Sequence, residues 1–335
     1  MLMWVFELLA MLVLILIASQ LFTNGLEHFG NKINISAGVT GSILAAVATA
    51  LPETMIPVLA IVAGTANTTV NEEVSVGAIL GAPLMLSTLS TFLMAVCVLK
   101  QRGLFGKINP EKTGFIRDID FFLLAFTLAV GAMYLPLQPV IYRFGISIAL
   151  VMTYVMYIVF TCKASKNLVS TGFGVTIEDP LLITKIGFSY TMKSIYIQLG
   201  LGLILLLIGA KGFIDGVEHL SNILQISVLL ISLIIIPIAT ELPEKVNSIM
   251  WVRKNKDTLA FGNITGAMVF QGTLLPALGI LLTPWEPSPE VVLVMAVTYT
   301  AAFWLRVNVT RAGLTIAALL FNGMLYAGYL LLALH

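Results

Sequence analysis

The sequence predicts an all-α membrane protein: about ten transmembrane helices in two inverted five-helix repeats, with both termini extracytoplasmic. Three observations lead there. The chain is 59% hydrophobic and only 10% charged over 335 residues, with a mean hydropathy of +1.00. A soluble domain needs about 25% charged residues to cover its surface, so this one is built for lipid. Apolar runs of spanning length, about 20 residues, recur along it. Finally, one stretch is written twice, 191 residues apart.

The spans read, in order, 2–22, 36–64, 73–98, 119–137, 139–162, 195–214, 226–251, 258–283, 287–305 and 312–333. The first holds Glu7 and has neither a basic start nor a small-residue cleavage site, so it reads as a retained helix and not a signal. The second and seventh carry the repeated stretch, and the third and eighth are rich in small residues. The others are expected from apolar length alone. Residues 1–162 form the first five-helix repeat, 163–194 a moderately polar cytoplasmic linker, and 195–335 the second repeat. The linker is too short for a folded regulatory domain of about 50 residues or more.

Charge placement tests the count independently. Lys and Arg cluster at Lys32; at Lys100, Arg102, Lys107, Lys112 and Arg117; at Lys163, Lys166, Lys185 and Lys193; at Arg253, Lys254 and Lys256; and at Arg306 and Arg311. These groups fall in alternate loops. The loops between them hold Glu72, Glu73, Glu286 and Glu290, with Lys211 the main exception. Basic loops face the cytoplasm, which puts both termini outside. Five helices is an odd number, so the second repeat enters the membrane inverted. The net charge of +1 leaves no basic surface for nucleic acid. Cys97 and Cys162 make no metal motif and read as ordinary packing residues.

The repeat pairs Phe22 with Phe213, Gly25 with Gly216, Glu27 with Glu218, His28 with His219 and Asn31 with Asn222. It closes on Ala48-Thr49-Ala50-Leu51-Pro52-Glu53 and Ala239-Thr240-Glu241-Leu242-Pro243-Glu244. Proline has no amide hydrogen and blocks the carbonyl four residues earlier, so Pro52 and Pro243 are expected to free the carbonyls of Ala48 and Ala239. Each break sets carbonyl oxygens beside a threonine hydroxyl and one turn from a glutamate. Carbonyl, hydroxyl and carboxylate oxygens are what Na⁺ and Ca²⁺ prefer. A lone proline kink with a buried glutamate is as readily structural. Two in register mark a shared site in a transporter built from related halves. The Glu27-His28 and Glu218-His219 pairs read more simply as interfacial caps than as pH sensors.

A second pair of segments follows, VGAILGAPLMLSTL at 76–89 and FGNITGAMVFQGTL at 261–274. Gly77 matches Gly262, Gly81 matches Gly266, Ala82 matches Ala267 and Thr88 matches Thr273. Such spacings let helices approach closely, and these segments are expected to form the other wall of the site.

An A-T-x-L-P-E helix followed by a G-N-x-x-G-x helix (GNITGAMVF at 262–270), present twice and inverted, resembles the alpha repeats of the cation/calcium exchanger superfamily, prokaryotic sodium/calcium exchangers being the nearest type. The two repeat regions cover about 36–98 and 226–283, and the strongest stretch is Ile238–Gly279. The resemblance implies a secondary cation antiporter that exchanges Ca²⁺ for Na⁺ or H⁺ by alternating access, in the cell (inner) membrane. It implies Glu53 and Glu244 as central ligands, with Thr49 and Thr240 beside them. Departures are equally plain. Ala50, Ala82, Ala267 and Leu86 stand where the family carries neutral oxygen ligands, while Gln271 keeps a polar group and Glu241 and Lys245 are gained. Glu241 and Lys245 lie four apart, so on a helix they could face each other as an ion pair, the ammonium taking the place of a Na⁺; equally, Lys245 could snorkel toward an interface and Glu241 face water in a vestibule. The candidate ligand set is Glu53, Glu244, Thr49, Thr240, Glu241 and Gln271.

Two mid-membrane carboxylates resist staying charged in a dry, closed state, so only a loaded site is expected to cross. A divergent exchanger with altered selectivity or coupling, a channel, or a non-transporting scaffold with a degraded site remain alternatives. No zinc-protease helix motif, nucleophile elbow or nucleotide loop is present, so no enzyme is expected. The expected partners are inorganic cations and the bilayer. No cofactor is expected, and oligomeric state is left open.

Overall fold

A computed structural model describes residues 2–32, 51–169, 180–311 and 313–334. Twelve helices run through them: α1 (Leu2–Lys32), α2 (Leu51–Ala63), α3 (Thr68–Met85), α4 (Thr91–Arg102), α5 (Lys112–Ala132), α6 (Ile141–Val169), α7 (Met192–Leu224), α8 (Val228–Thr240), α9 (Leu242–Arg253), α10 (Asp257–Leu282), α11 (Pro289–Arg311) and α12 (Ile316–Ala333). A two-residue antiparallel ladder joins β1 (Lys107–Ile108) to β2 (Leu314–Thr315). Among the described residues, seven helical stretches are long and apolar enough to cross a membrane: Met3–Leu26, Thr68–Arg102, Ile141–Ala164, Met192–Leu224, Asp257–Leu282, Pro289–Thr310 and Ile316–Ala333.

The chain forms two compact units, and each draws on both halves of the sequence: Met1–Asn71 with Cys162–Gln225, and Glu72–Thr161 with Ile226–His335. In the first unit α1 and α7 lie side by side. Glycine makes their contact close: a Cβ at Gly202 would stand 3.0 Å from the Phe22 nitrogen, and one at Gly209 2.8 Å from Ile15 Cγ1. Both helices outrun their expected spans of 2–22 and 195–214, because Glu27-His28 and Glu218-His219 continue the helix past the apolar run. Those histidines work as ring contacts within it. His219 stacks on Trp4 at 3.8 Å between centroids, and His28 meets Tyr190 edge-on at 5.4 Å.

In the second unit α3 passes into α4 through a π-helical turn, Leu86–Ser90, three residues after Pro83. A π turn widens the ladder and leaves backbone oxygens for side chains. Here Asn322 of α12, itself fully buried, donates to the Ser87 carbonyl at 2.8 Å. Phe122 and Phe126 of α5 are buried, and Phe115 meets Phe261 of α10 at 5.6 Å. At one end Trp285 is buried and donates its indole N–H to the Ala129 carbonyl at 3.0 Å, while Arg143 donates to the carbonyls of Thr283 and Pro284, both at 2.9 Å. At the other, Arg102 donates to both Asp257 oxygens at 2.7 and 2.8 Å, to the Val252 carbonyl and to Asn255. Asp257 also accepts the Asn109 amide at 2.9 Å, so this one pair ties the α4, β1 and α10 segments together.

Three sequence expectations shift. The span expected at 226–251 is two helices, α8 and α9, parted at Glu241. The span expected at 36–64 lies mostly outside the described residues, which begin again at Leu51. Cys97 and Cys162, expected as packing residues, are exposed on α4 and α6. A thiol is apolar enough to sit on a lipid-facing surface.

Candidate functional site

The α8–α9 break builds the site. The chain Val228–Thr240 is a run of β-branched and leucine residues with Pro237 inside it. Glu241 then adopts φ −85°, ψ 1°, and Pro243 occupies the first turn of α9. At a helix start the proline's missing N–H has no helical partner to lose, so Pro243 opens α9. Among the described residues, the Pro237 carbonyl is put to use. It accepts the Glu241 N–H at 3.2 Å and the Lys245 Nζ at 3.0 Å.

Glu241 is fully buried, and its Oε1 accepts from Gln271 Nε2 of α10 at 2.5 Å. Gln271 is 2% exposed, and its own Oε1 has no hydrogen-bond partner among the described residues. Lys245 is buried and reaches back across the break to Pro237. Thr240 is buried too, its hydroxyl donating to the Ile236 carbonyl at 3.1 Å. A hydrogen bond to a charged group contributes about 1.5–3 kcal/mol, so the Gln271 amide is a substantial anchor for Glu241. Asn263 Nδ2 donates to Ser248 Oγ at 3.1 Å and fixes α10 against α9 a few turns away.

The first repeat supplies the wall against α8. A Cβ at Gly77 would fall 2.5 Å from Ser232 Cβ, and one at Gly81 would fall 2.4 Å from the Leu233 oxygen and 2.6 Å from Pro237 Cγ. So α3 lies directly against α8 at Gly77 and Gly81. The matching glycines are not used this way: a Cβ at Gly262 meets nothing within 4 Å, and one at Gly266 meets only the Tyr157 hydroxyl at 3.6 Å. Leu86, the counterpart of Gln271, is buried in the π turn. The repeat-related threonines keep a common habit, Thr88 and Thr273 each donating to the carbonyl four residues back.

The sequence-derived ligand set is thus placed as follows. Thr240, Glu241 and Gln271 belong to one buried polar cluster in the second unit. Glu53 is buried at 4% exposure in the first turn of α2, in the first unit. Glu244 is the third residue of α9, its side chain beyond what is described, and Thr49 lies outside the described residues. Ser232, Ser248 and Asn322 were not singled out by sequence, and Asn263 entered only through its motif. An asparagine such as Asn322 inside the apolar run 312–333 was the available signal, since amides in membrane helices usually bind a neighbouring backbone.

Among the described residues no three His, Cys, Asp or Glu side chains gather as metal ligands. The polar groups at the break are instead mixed: the Glu241 carboxylate, the Gln271 amide, the Thr240 hydroxyl and the Pro237 carbonyl, with the Lys245 ammonium bonded to that carbonyl. Non-helical backbone and ionisable groups at such depth are kept where an ion or an aqueous cavity meets them. Fold and polar cluster together define an integral multi-pass membrane protein of the ion-exchanger class. The chain matches the sodium/calcium exchanger protein family over residues 3–163 and 194–334, and it belongs to that family.

Its relatives agree. It is 26% identical over 278 residues to a candidate antiporter, CaxA of Alkalimonas amylolytica, covering 82% of this chain and 79% of that protein. It is 32% identical over 118 residues to the inner membrane protein YrbG of Escherichia coli K12, a match spanning 33% of this chain and 36% of that protein. The crystal structure of the H⁺/Ca²⁺ exchanger CAX shares its fold, with a TM-score of 0.67 at 18% identity over 99% of this chain and 86% of that one.

Proposed function

We propose that this chain is a secondary antiporter that exchanges Ca²⁺ against Na⁺ or H⁺ by alternating access. Glu53 and Glu244 are its central ligands, Thr49 and Thr240 their neighbours, and Glu241 and Gln271 complete the second-repeat side. The ten-helix, two-repeat architecture with both termini outside, divided at 162 and 195, is part of the same reading. The observation that carries it is Glu241, a fully buried carboxylate set at the break of an apolar segment in a chain of this family. A divalent cation or two protons neutralise a carboxylate pair before the closed state forms, which makes transport an exchange and not a leak.

Lys245 favours H⁺ as the coupling ion, or a reduced Na⁺ count. Its Nζ occupies the Pro237 carbonyl, a break-site oxygen of the kind a monovalent cation takes. The test is flux into proteoliposomes with Ca²⁺, Mg²⁺ and Mn²⁺ offered against Na⁺ and pH gradients. Ca²⁺ uptake driven by one of the gradients is expected, abolished by Glu53→Gln or Glu244→Gln in protein that still folds. Unchanged flux in either variant places the ligands elsewhere, and flux without coupling points to a channel.

A further inference from the structure

The segment that leads into α7 has two faces, and only one is explained by packing. Inward, Leu181, Ile183 and Ile195 are buried and pack with Phe29, Met192 and Leu199. Two buried amides from the long helices hold it there. Asn24 accepts the Leu182 N–H at 3.0 Å, and Gln198 accepts the Ile183 N–H at 2.8 Å. Gln198 also donates to Asn24 at 2.9 Å and to the Leu21 carbonyl at 2.8 Å. The 3₁₀ turn Leu182–Ile186 is therefore fixed to the α1–α7 pair, and Thr191 caps α7 beside it.

Outward, Ile186 is 73% exposed and Tyr196 56%, with Phe188 and Tyr190 also exposed. Lys185 and Lys193 are exposed among them, and from Pro180 to Gly200 there is no Asp or Glu. The last residue of α1, Lys32, joins this face with its Nζ 4.6 Å from the centre of the Tyr190 ring. Exposed aromatic and aliphatic side chains interleaved with lysines, at the ends of membrane-length helices, match the headgroup layer. Rings and stems reach the acyl boundary there, and ammonium groups stay among the phosphates.

We propose that this strap, residues 181–196 with Lys32, is a binding surface for anionic lipid headgroups of the leaflet it faces. The phosphodiester lies among Lys32, Lys185 and Lys193, and Ile186 and Phe188 enter the acyl region. A lysine near an anionic surface favours binding about five-fold, so three together favour it on the order of a hundred-fold over a zwitterionic lipid. Because the strap is bonded to α1 and α7, lipid bound here also bears on the packing of that pair. The proposal rests on the chain lying in a membrane and not on which ion it carries.

Phe188→Trp reports the lipid at the strap. In vesicles of phosphatidylcholine with 30 mol% phosphatidylglycerol, bromine is placed on the acyl chains of an equal amount of either lipid. Position 188, read as the difference from the unaltered protein, is expected to be quenched several-fold more by brominated phosphatidylglycerol. Changing Lys32, Lys185 and Lys193 together to Gln should remove that preference. Native mass spectrometry of the unaltered protein and the triple variant gives a second reading without the tryptophan, with bound phosphatidylglycerol expected to fall at least five-fold. Equal quenching by the two lipids, or a preference and bound lipid that survive in the triple variant, overturns the proposal.

Discussion

Gly81 of the first repeat and Gly262 of the second should respond to the same substitution with opposite sign. At Gly81 an added Cβ falls 2.4 Å from the Leu233 oxygen and 2.6 Å from Pro237 Cγ, where ordinary contact begins near 3.4 Å. Backbone and a proline ring cannot swing aside, so α3 and α8 must part by about 1 Å, an overpacking that costs about 1–3 kcal/mol. Alanine recovers about 0.5–1 kcal/mol of helix propensity, leaving Gly81→Ala destabilised by up to about 2 kcal/mol. Gly262, the partner of Gly77, has open space around its Cβ direction. Gly262→Ala should therefore gain that same about 0.5–1 kcal/mol with nothing to offset it. Thermal and denaturant unfolding of the purified protein in one detergent reads the difference directly. Ion flux should fall with Gly81→Ala, because the displaced neighbour is the Pro237 turn that supports Glu241 and Lys245. A Gly81→Ala protein as stable and active as the parent, or a Gly262→Ala protein destabilised by more than about 1 kcal/mol, would refute the reasoning.

Other outcomes follow from single contacts. Gln271→Leu strips the amide from buried Glu241 and should lower stability by about 1.5–3 kcal/mol and reduce flux, whereas Gln271→Glu sets a second carboxylate there and should make function more dependent on acid or divalent cation; unfolding and flux measured together check both. Asp257→Ala strands the Arg102 guanidinium and should cost at least about 2 kcal/mol, more than the Arg102→Met, Asp257→Ala double variant, in a double-mutant cycle. At the start of α5 the Glu111 carboxylate accepts the amides of Thr113 and Gly114. Burial pushes its carboxyl up, but those bonds and Arg117 outweigh it and hold it below its ordinary 4.5. A lowered folded-state value means stability present above about pH 4.5 and lost as pH falls through the folded value. Glu111→Ala should thus cost about 1 kcal/mol near neutrality and progressively less in acid, read from unfolding curves at several pH values.

Class and family were legible because hydrocarbon imposes coarse rules: composition, apolar length and an in-register Pro-Glu element suffice to recognise them. The break at Glu241 was legible in kind but not in detail. Sequence located it through Pro243 and through Pro237 just upstream, but not that the Pro237 carbonyl would accept the Lys245 ammonium. Spacing pointed to Lys245, four residues on, as a companion of Glu241, but it could not reveal Gln271, thirty residues on, which donates to Glu241 because α10 packs beside α9. The unequal use of matched glycines was likewise invisible, since Gly77 and Gly262 read alike until their neighbours are known. The Glu27-His28 and Glu218-His219 pairs read from sequence as interfacial caps, and nothing in the spacing foretold the ring contacts of His28 with Tyr190 and of His219 with Trp4.

The lengths of α1 and α7 set a relation between this protein and its solvent. At about 1.5 Å per residue, helices of 31 and 33 residues reach roughly 46 and 50 Å. Even tilted by about 40°, the steep end of what membrane helices adopt, α7 would still rise about 38 Å against a hydrocarbon layer of about 30 Å. The 18 residues of α12 reach only about 27 Å. The apolar runs of α1 and α7, about 20 residues each, match that layer, so the remaining turns, with Glu27-His28 and Glu218-His219, stand beyond it among the headgroups. The long pair thus carries its helical order out of the hydrocarbon, while α12 stops near its edge.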